Sequence, residues 1–137
     1  MVCIYCGSST QVTNSRHQKR PNQVWRRRQC SVCGNNFTTH ESVEFGGTIA
    51  VQYSPKDLRP FSRDELFASV YESFKHRTKA VDDASAVTQT IIGTLREHIV
   101  EGVLERDTIA TVAYVILERF DKAAATMYAA YHPSTKS

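Results

Sequence analysis

The chain holds 137 residues, 41% hydrophobic and 23% charged, an ordinary globular mixture that excludes a collagen-like or wholly disordered polymer and suffices for one domain or two small ones. Its most apolar stretches, such as Ile109 to Leu117, fall far short of the roughly 20 residues of a membrane-spanning helix, and Met1 to Cys6 lacks the basic and long apolar regions of a secretory signal, so the expected setting is the cytoplasm, with no membrane partner. The net charge of +3 hides an asymmetry: residues 1–45 carry six basic and two acidic side chains, against eleven and twelve beyond, which points to an anionic polymer as partner of the head.

All four cysteines fall in two pairs, Cys3-Ile4-Tyr5-Cys6 and Cys30-Ser31-Val32-Cys33, each followed by a glycine, Gly7 and Gly34. Two intervening residues let a tight turn aim both sulfurs at one ion, and the glycine opens backbone conformations that a side chain would hinder. This is the pattern of a zinc ribbon with Cys3, Cys6, Cys30 and Cys33 as ligands. Four thiolates close the tetrahedron, so the Zn2+ is expected to be structural rather than catalytic. Two disulfides or a thioredoxin-like redox pair are the competing readings. His17 and His40 are not expected to be ligands.

Between the pairs run Arg16, Lys19 and Arg20, then Val24-Trp25-Arg26-Arg27-Arg28-Gln29 leading into Cys30. As a strand, Val24 to Cys30 would place Arg26 and Arg28 on one face and Trp25 and Arg27 on the other. Guanidinium forks suit phosphate, and an indole can stack on a base or cover the ribbon. Arg16, Lys19, Arg20, Trp25, Arg26, Arg27 and Arg28 are therefore the expected nucleic-acid-binding residues, with a merely solvated basic face as the alternative.

Gly46-Gly47 reads as a hinge or turn, Thr48 to Tyr53 as a strand, and Ser54 to Asp57 as a turn returning the chain through Leu58 to Phe61 as the second arm of a hairpin. Ser62-Arg63-Asp64-Glu65 has capping-box form. It opens a helix with Leu66, Phe67, Val70, Tyr71 and Phe74 on its apolar face and its end near Lys79. A second helix is expected from about Asp83 to Val100, with Val87, Ile91, Leu95 and Ile99 in line and Gly102 as its stop. Asp107 is expected to cap a third, striped by Ile109, Val112, Ile116 and Phe120. A fourth, with Ala123, Met127 and Tyr131, stops before His132-Pro133, and residues 133–137 form a tail. The fold class is α+β: a zinc ribbon of small antiparallel β structure (1–45), then a β-hairpin with about four α-helices (46–132). No phosphate-binding glycine loop or persuasive catalytic spacing is present, so enzyme activity is not expected.

Cys3-Ile4-Tyr5-Cys6-Gly7, Asn14-Ser15-Arg16, Arg26 to Gly34 and Phe37-Thr38-Thr39-His40-Glu41 resemble the head of the NrdR family, bacterial repressors of ribonucleotide reductase genes. The departures are Ile4 for the usual proline, Asn14 in the family's DSR, and Trp25 for the first of four arginines. The resemblance implies a ribbon that binds double-stranded promoter DNA, joined to an ATP-cone that senses ATP and dATP through oligomeric state. By position, the resemblance makes Val51-Gln52-Tyr53 and His76-Arg77-Thr78 the counterparts of the cone's cationic segments. Gln52, Tyr53, Lys56, Arg59, His76, Arg77 and Lys79 are then the candidate nucleotide-binding residues, unless Lys56 and Arg59 only solubilise an edge and Arg77 and Lys79 only complement a helix end. A repressor acting as a homo-oligomer leads. An RNA-binding or protein-interaction adaptor whose cone no longer binds nucleotide is the alternative, and an accessory docking on the reductase is a third.

Overall fold

The alternation of Gln23–Cys30 makes it the central strand, β2, of an antiparallel sheet between β1 (Thr10–Gln18) and β3 (Asn36–Ser42). The computed structural model describes residues 1–133; Ser134 to Ser137, most of the expected tail, lie outside the described residues. The chain divides into two compact units, Met1–Val43 and the residues from Glu44 onward.

In the first unit the register runs Asn14↔Arg27↔Thr38 and Arg16↔Trp25↔His40 on one face, and Ser15↔Arg26↔Thr39 and Val12↔Arg28↔Phe37 on the other. A bulge at Thr13 interrupts β1 between Val12 and Asn14. The buried hydrophobic residues of this unit are only Cys3, Cys30 and Phe37, too few for an independent core.

The second unit carries the expected hairpin as β4 (Ala50–Ser54) and β5 (Asp57–Pro60). A strand the sequence did not announce, β6 (Val103–Glu105), pairs with β4 in parallel and completes the sheet in the order β5-β4-β6. Four helices pack beside it: α1 (Arg63–Glu72), α2 (Ala80–Leu95), α3 (Arg106–Phe120) and α4 (Lys122–Tyr131). Val70, Phe74, Ile91, Leu95, Leu104 and Leu117 are fully buried at their centre. The α+β class, the ribbon and the hairpin with four helices thus stand as expected.

Several boundaries do not. Helix α1 is capped as expected, the Ser62 hydroxyl accepting from the Glu65 N–H at 3.2 Å, but it ends at Glu72 rather than near Lys79. Residues 73–79 turn tightly, with Ser73 N–H on the Val70 carbonyl and Arg77 N–H on that of Phe74. Helix α2 begins at Ala80 and gives way at Leu95 to one 3-10 turn, Arg96–His98, so Gly102 shapes the turn into β6 rather than stopping α2. Asp107 lies within the first turn of α3 and Glu105 stands at the cap without a side-chain bond. The buried line of α3 is Ala110, Ala113 and Leu117, flanked by half-buried Ile109, Val112 and Ile116, while Phe120 is exposed. On α4 the buried residues are Ala124, Ala125, Tyr128 and Ala129, and the expected stripe of Met127 and Tyr131 is exposed.

Asp121 ties this unit together. It caps α4, accepting from the Ala124 N–H at 3.1 Å, and its Oδ2 meets His76 Nε2 at 2.9 Å and Arg77 Nη1 at 2.7 Å. Arg77 Nε also donates to Asp83 at 2.8 Å. The His76 hydrogen bond, then the Ala124 amide and Arg77, hold the Asp121 carboxyl well below the usual carboxylate range. A folded-state pKa lowered in this way contributes stability that is present above the unfolded value and lost as pH falls toward the folded one. Asp121→Asn keeps a competent cap but cannot ionise. We expect it to lower stability at pH 7 by on the order of 1 kcal/mol, with the gap from wild type narrowing steadily as the pH falls below about 4. Thermal melts across that range check this, and a constant gap refutes it.

Candidate metal centre, nucleic-acid face and pocket

The two cysteine knuckles repeat one backbone pattern. Cys3 N–H donates to the Ser8 carbonyl at 2.7 Å and Cys30 N–H to that of Asn35 at 2.9 Å. Gly7 and Gly34 occupy matching left-handed positions at φ +76° and +74°, the conformation that the sequence reserved for glycine. The knuckles are joined by Ser31, whose hydroxyl donates to the Ser9 carbonyl at 3.0 Å.

This brings the four sulfurs to within 4.8 Å of one another. The closest pairs across the knuckles, Cys3–Cys33 and Cys6–Cys30, stand 3.7 and 3.5 Å apart, too far for a disulfide at about 2.05 Å. They suit the corners of a tetrahedron around zinc with Zn–S bonds of about 2.3 Å. Amide donors reach the sulfurs: Tyr5 N–H to Cys3, and Val32 and Cys33 N–H to Cys30, each at 3.4 Å. Ser8, through its side chain and then its backbone, lowers the Cys6 thiol from 9.0 to about 6. Such donors favour thiolate, the form a metal takes. Neither His17 nor His40 belongs to this cluster.

The sheet divides the arginine run as its alternation dictates. Arg26 donates to Ser15 Oγ at 3.0 Å and pairs with Glu41 at 3.4 Å. Arg28, half-buried on the same face, donates to Thr39 Oγ1 at 3.3 Å and Thr10 Oγ1 at 3.5 Å. On the opposite face Arg27 is exposed, donating to Thr38 Oγ1 at 3.1 Å, and Arg16 lies over the Trp25 ring at 5.8 Å. Lys19 and Arg20 are exposed at the connection from β1 to β2. Glu41, the one acid in residues 1–43, stands on the Arg26 face, so the face of Arg16, Trp25 and Arg27 carries no carboxylate.

The candidate nucleotide residues of the second unit separate into two groups. Tyr53 lines a pocket of about 170 Å³ bounded by α1, α3, α4 and β4, and Arg59 lies over its ring at 4.2 Å while chelating Asp57 at 2.8 and 3.1 Å. Gln52 is half-buried within β4, and Lys56 is exposed at the hairpin turn. His76 and Arg77 are held by Asp121 and Asp83, and Lys79 precedes α2. Of the seven candidates only Tyr53 lines the pocket.

The pocket is built from residues that sequence reasoning missed: Glu65, Ser69, Arg106, Tyr128 and His132. Arg106 approaches the Tyr53 ring at 5.5 Å. Ser69 Oγ and His132 Nε2 are 2.9 Å apart, and Tyr128 stacks on His132 with centroids at 4.0 Å. Burial, with help from the Arg106 charge, pushes His132 down, and burial pushes Tyr128 up to about 12. Both walls are thus uncharged at neutral pH. The one available signal was Arg106 itself, a cation in the first turn of a helix, where the macrodipole disfavours it.

A family profile described as "Transcriptional repressor NrdR-like, N-terminal domain" matches residues 1–41. Over 135 residues the chain is 34% identical to proteins named "Transcriptional repressor NrdR" from Brucella ovis and from Brucella canis, covering 96% of this chain and 83% of each relative. These relatives are named as repressors, not as enzymes, which agrees with the expectation of a non-catalytic protein. Among the described residues no helix is long and apolar enough to cross a membrane.

Proposed function

The chain belongs to the NrdR family of transcriptional repressors, and from that premise we propose that it is a cytoplasmic zinc-dependent repressor of ribonucleotide reductase genes that binds promoter duplex through its ribbon. The observation that carries this is the carboxylate-free face of Arg16, Trp25 and Arg27, with Lys19 and Arg20 at its end. It offers cations and an aromatic plane to a polyanion and nothing that repels one. A single ribbon covers little DNA, so useful affinity requires two or more ribbons held together in a homo-oligomer.

Control by ATP or dATP is part of the proposal, with the pocket beside Tyr53 as the nucleotide site. Arg106 lines the pocket and supplies a guanidinium group for phosphate, Arg59 stands beside it over the Tyr53 ring, and Tyr53 supplies an aromatic wall for the base. Nucleotide acts by differential affinity for two assemblies and needs no chemistry. His76 and Arg77 then serve structure, through Asp121, rather than ligand.

The experiment is an anisotropy titration of zinc-loaded protein on promoter duplex, scrambled duplex and single-stranded RNA, each alone and with ATP or dATP. We expect preference for the promoter duplex and a nucleotide-dependent change of about 5- to 150-fold, the change being lost in Arg106→Ala while nucleotide-free binding persists. One observation favours a second reading: Arg59 is committed to Asp57 and Glu65 lines the same pocket, leaving modest positive charge for a triphosphate. Binding that ignores nucleotide would make the helical unit an assembly scaffold, and equal binding to RNA would make the protein an adaptor.

A further inference from the structure

The bulge in β1 changes which side chains the basic face presents. Val12 pairs with Arg28 on one face and Asn14 pairs with Arg27 on the other, because Thr13 is inserted between them without a partner in the register. The Thr13 hydroxyl donates to the Arg27 carbonyl at 3.3 Å and pins the insertion to β2. Strict alternation from Val12 would place Asn14 and Arg16 beside Arg28, among the side chains that hold the sheet together. The extra residue reverses the phase and delivers both to the face of Trp25 and Arg27. Bulges re-aim side chains in this way next to functional sites.

Asn14 is exposed, and among the described residues its side chain has no hydrogen-bond partner, although its neighbour Ser15 and the facing Arg27 and Thr38 all have one. It is an uncharged group that offers a donor and an acceptor side by side, with Arg16 and Arg27 beside it to hold phosphate. The rows Asn14–Arg27–Thr38 and Arg16–Trp25–His40 cross three strands, two spacings of about 4.8 Å, so the face is about 10 Å wide. The major groove is about 12 Å wide, and there an asparagine amide matches the acceptor and donor edge of adenine.

We propose that Asn14, brought onto the basic face by the Thr13 bulge, is a specificity-determining residue that reads an adenine edge in the major groove. Arg26 and Arg28 on the opposite face are positioning residues that stiffen the sheet. This rests on the reading of the ribbon as a duplex-DNA binder.

The test is selection from a randomised duplex library by the zinc-loaded full chain, comparing wild type with Asn14→Ala and Asn14→Asp. Wild type should return a consensus. Asn14→Ala should lose discrimination at an adenine position, where about 5- to 150-fold preference falls toward none, while the remaining consensus and the affinity for scrambled duplex hold. Asn14→Asp, an acceptor only, should shift that position toward cytosine. Unchanged Trp25 emission certifies that each variant is folded, and if either one fails this check the other decides. A wild-type consensus that both folded variants reproduce overturns the role of Asn14 and leaves the duplex-binding reading intact. No wild-type consensus overturns the reading, and the role of Asn14 with it.

Discussion

Chelation of the zinc-loaded protein is expected to unfold residues 1–43 and leave the helical unit standing. The ribbon buries one aromatic, Phe37, and two of its own metal ligands, Cys3 and Cys30. One buried aromatic is too small a core to hold some forty residues in a single fold without a metal. Structural zinc contributes on the order of 10–16 kcal/mol in comparable peptides. The second unit has a core of its own around Phe74, Ile91, Leu95 and Leu117. Trp25 is the sole tryptophan and lies in the ribbon, whereas all four helices begin beyond Ser62, so two optical probes separate the units. Excess chelator should shift Trp25 emission to the red and abolish DNA binding while ellipticity at 222 nm changes little. Simultaneous collapse of both signals would show that the helical unit depends on the ribbon, and an unmoved Trp25 would show that the ribbon stands without metal.

What was legible in the sequence is what local chemistry decides. The cysteine spacing with Gly7 and Gly34 led directly to the knuckles, and the alternation of Val24 to Cys30 led to β2 with its arginines correctly divided between faces. Ser62 announced the start of α1, and Val87, Ile91 and Leu95 announced the buried line of α2. What was not legible depends on distant partners. Helix α1 stops early where Arg77 turns to reach Asp121, 44 residues away. Strand β6 has three residues and exists through β4, some fifty positions earlier. Helix α4 was misread because Ala123, Ala124 and Ala125 give no contrast between faces, so the larger Met127 and Tyr131 drew the stripe to the exposed side. The pocket draws on α1, α3, α4 and β4 at once, and a chain read in order shows only one such wall at a time. The Thr13 bulge left no periodic mark at all.

The salt dependence of DNA binding should show how many of the six head cations touch phosphate. If all six did, log K against log salt would slope near −5.4 for each ribbon, whereas Arg16, Lys19, Arg20 and Arg27 alone give about −3.6. The structure favours at most four, because Arg26 is paired with the Glu41 carboxylate and Arg28 is half-buried against Thr39 and Thr10. Between 50 and 200 mM salt, four contacts cost about 150-fold in affinity and six about 2,000-fold, a difference that anisotropy resolves easily. Arg27→Ala should reduce the slope by about 0.9 for each ribbon engaged without moving Trp25 emission. Arg26→Ala should leave the slope unchanged and lower the melting temperature of the ribbon, since it removes two cross-strand contacts, to Ser15 and Glu41. If the two substitutions change the slope equally, both faces of the sheet meet the duplex and the division of labour set by the β2 alternation is refuted. If only Arg27→Ala changes it, the ribbon engages DNA through one face, and the opposite face serves to keep that face flat.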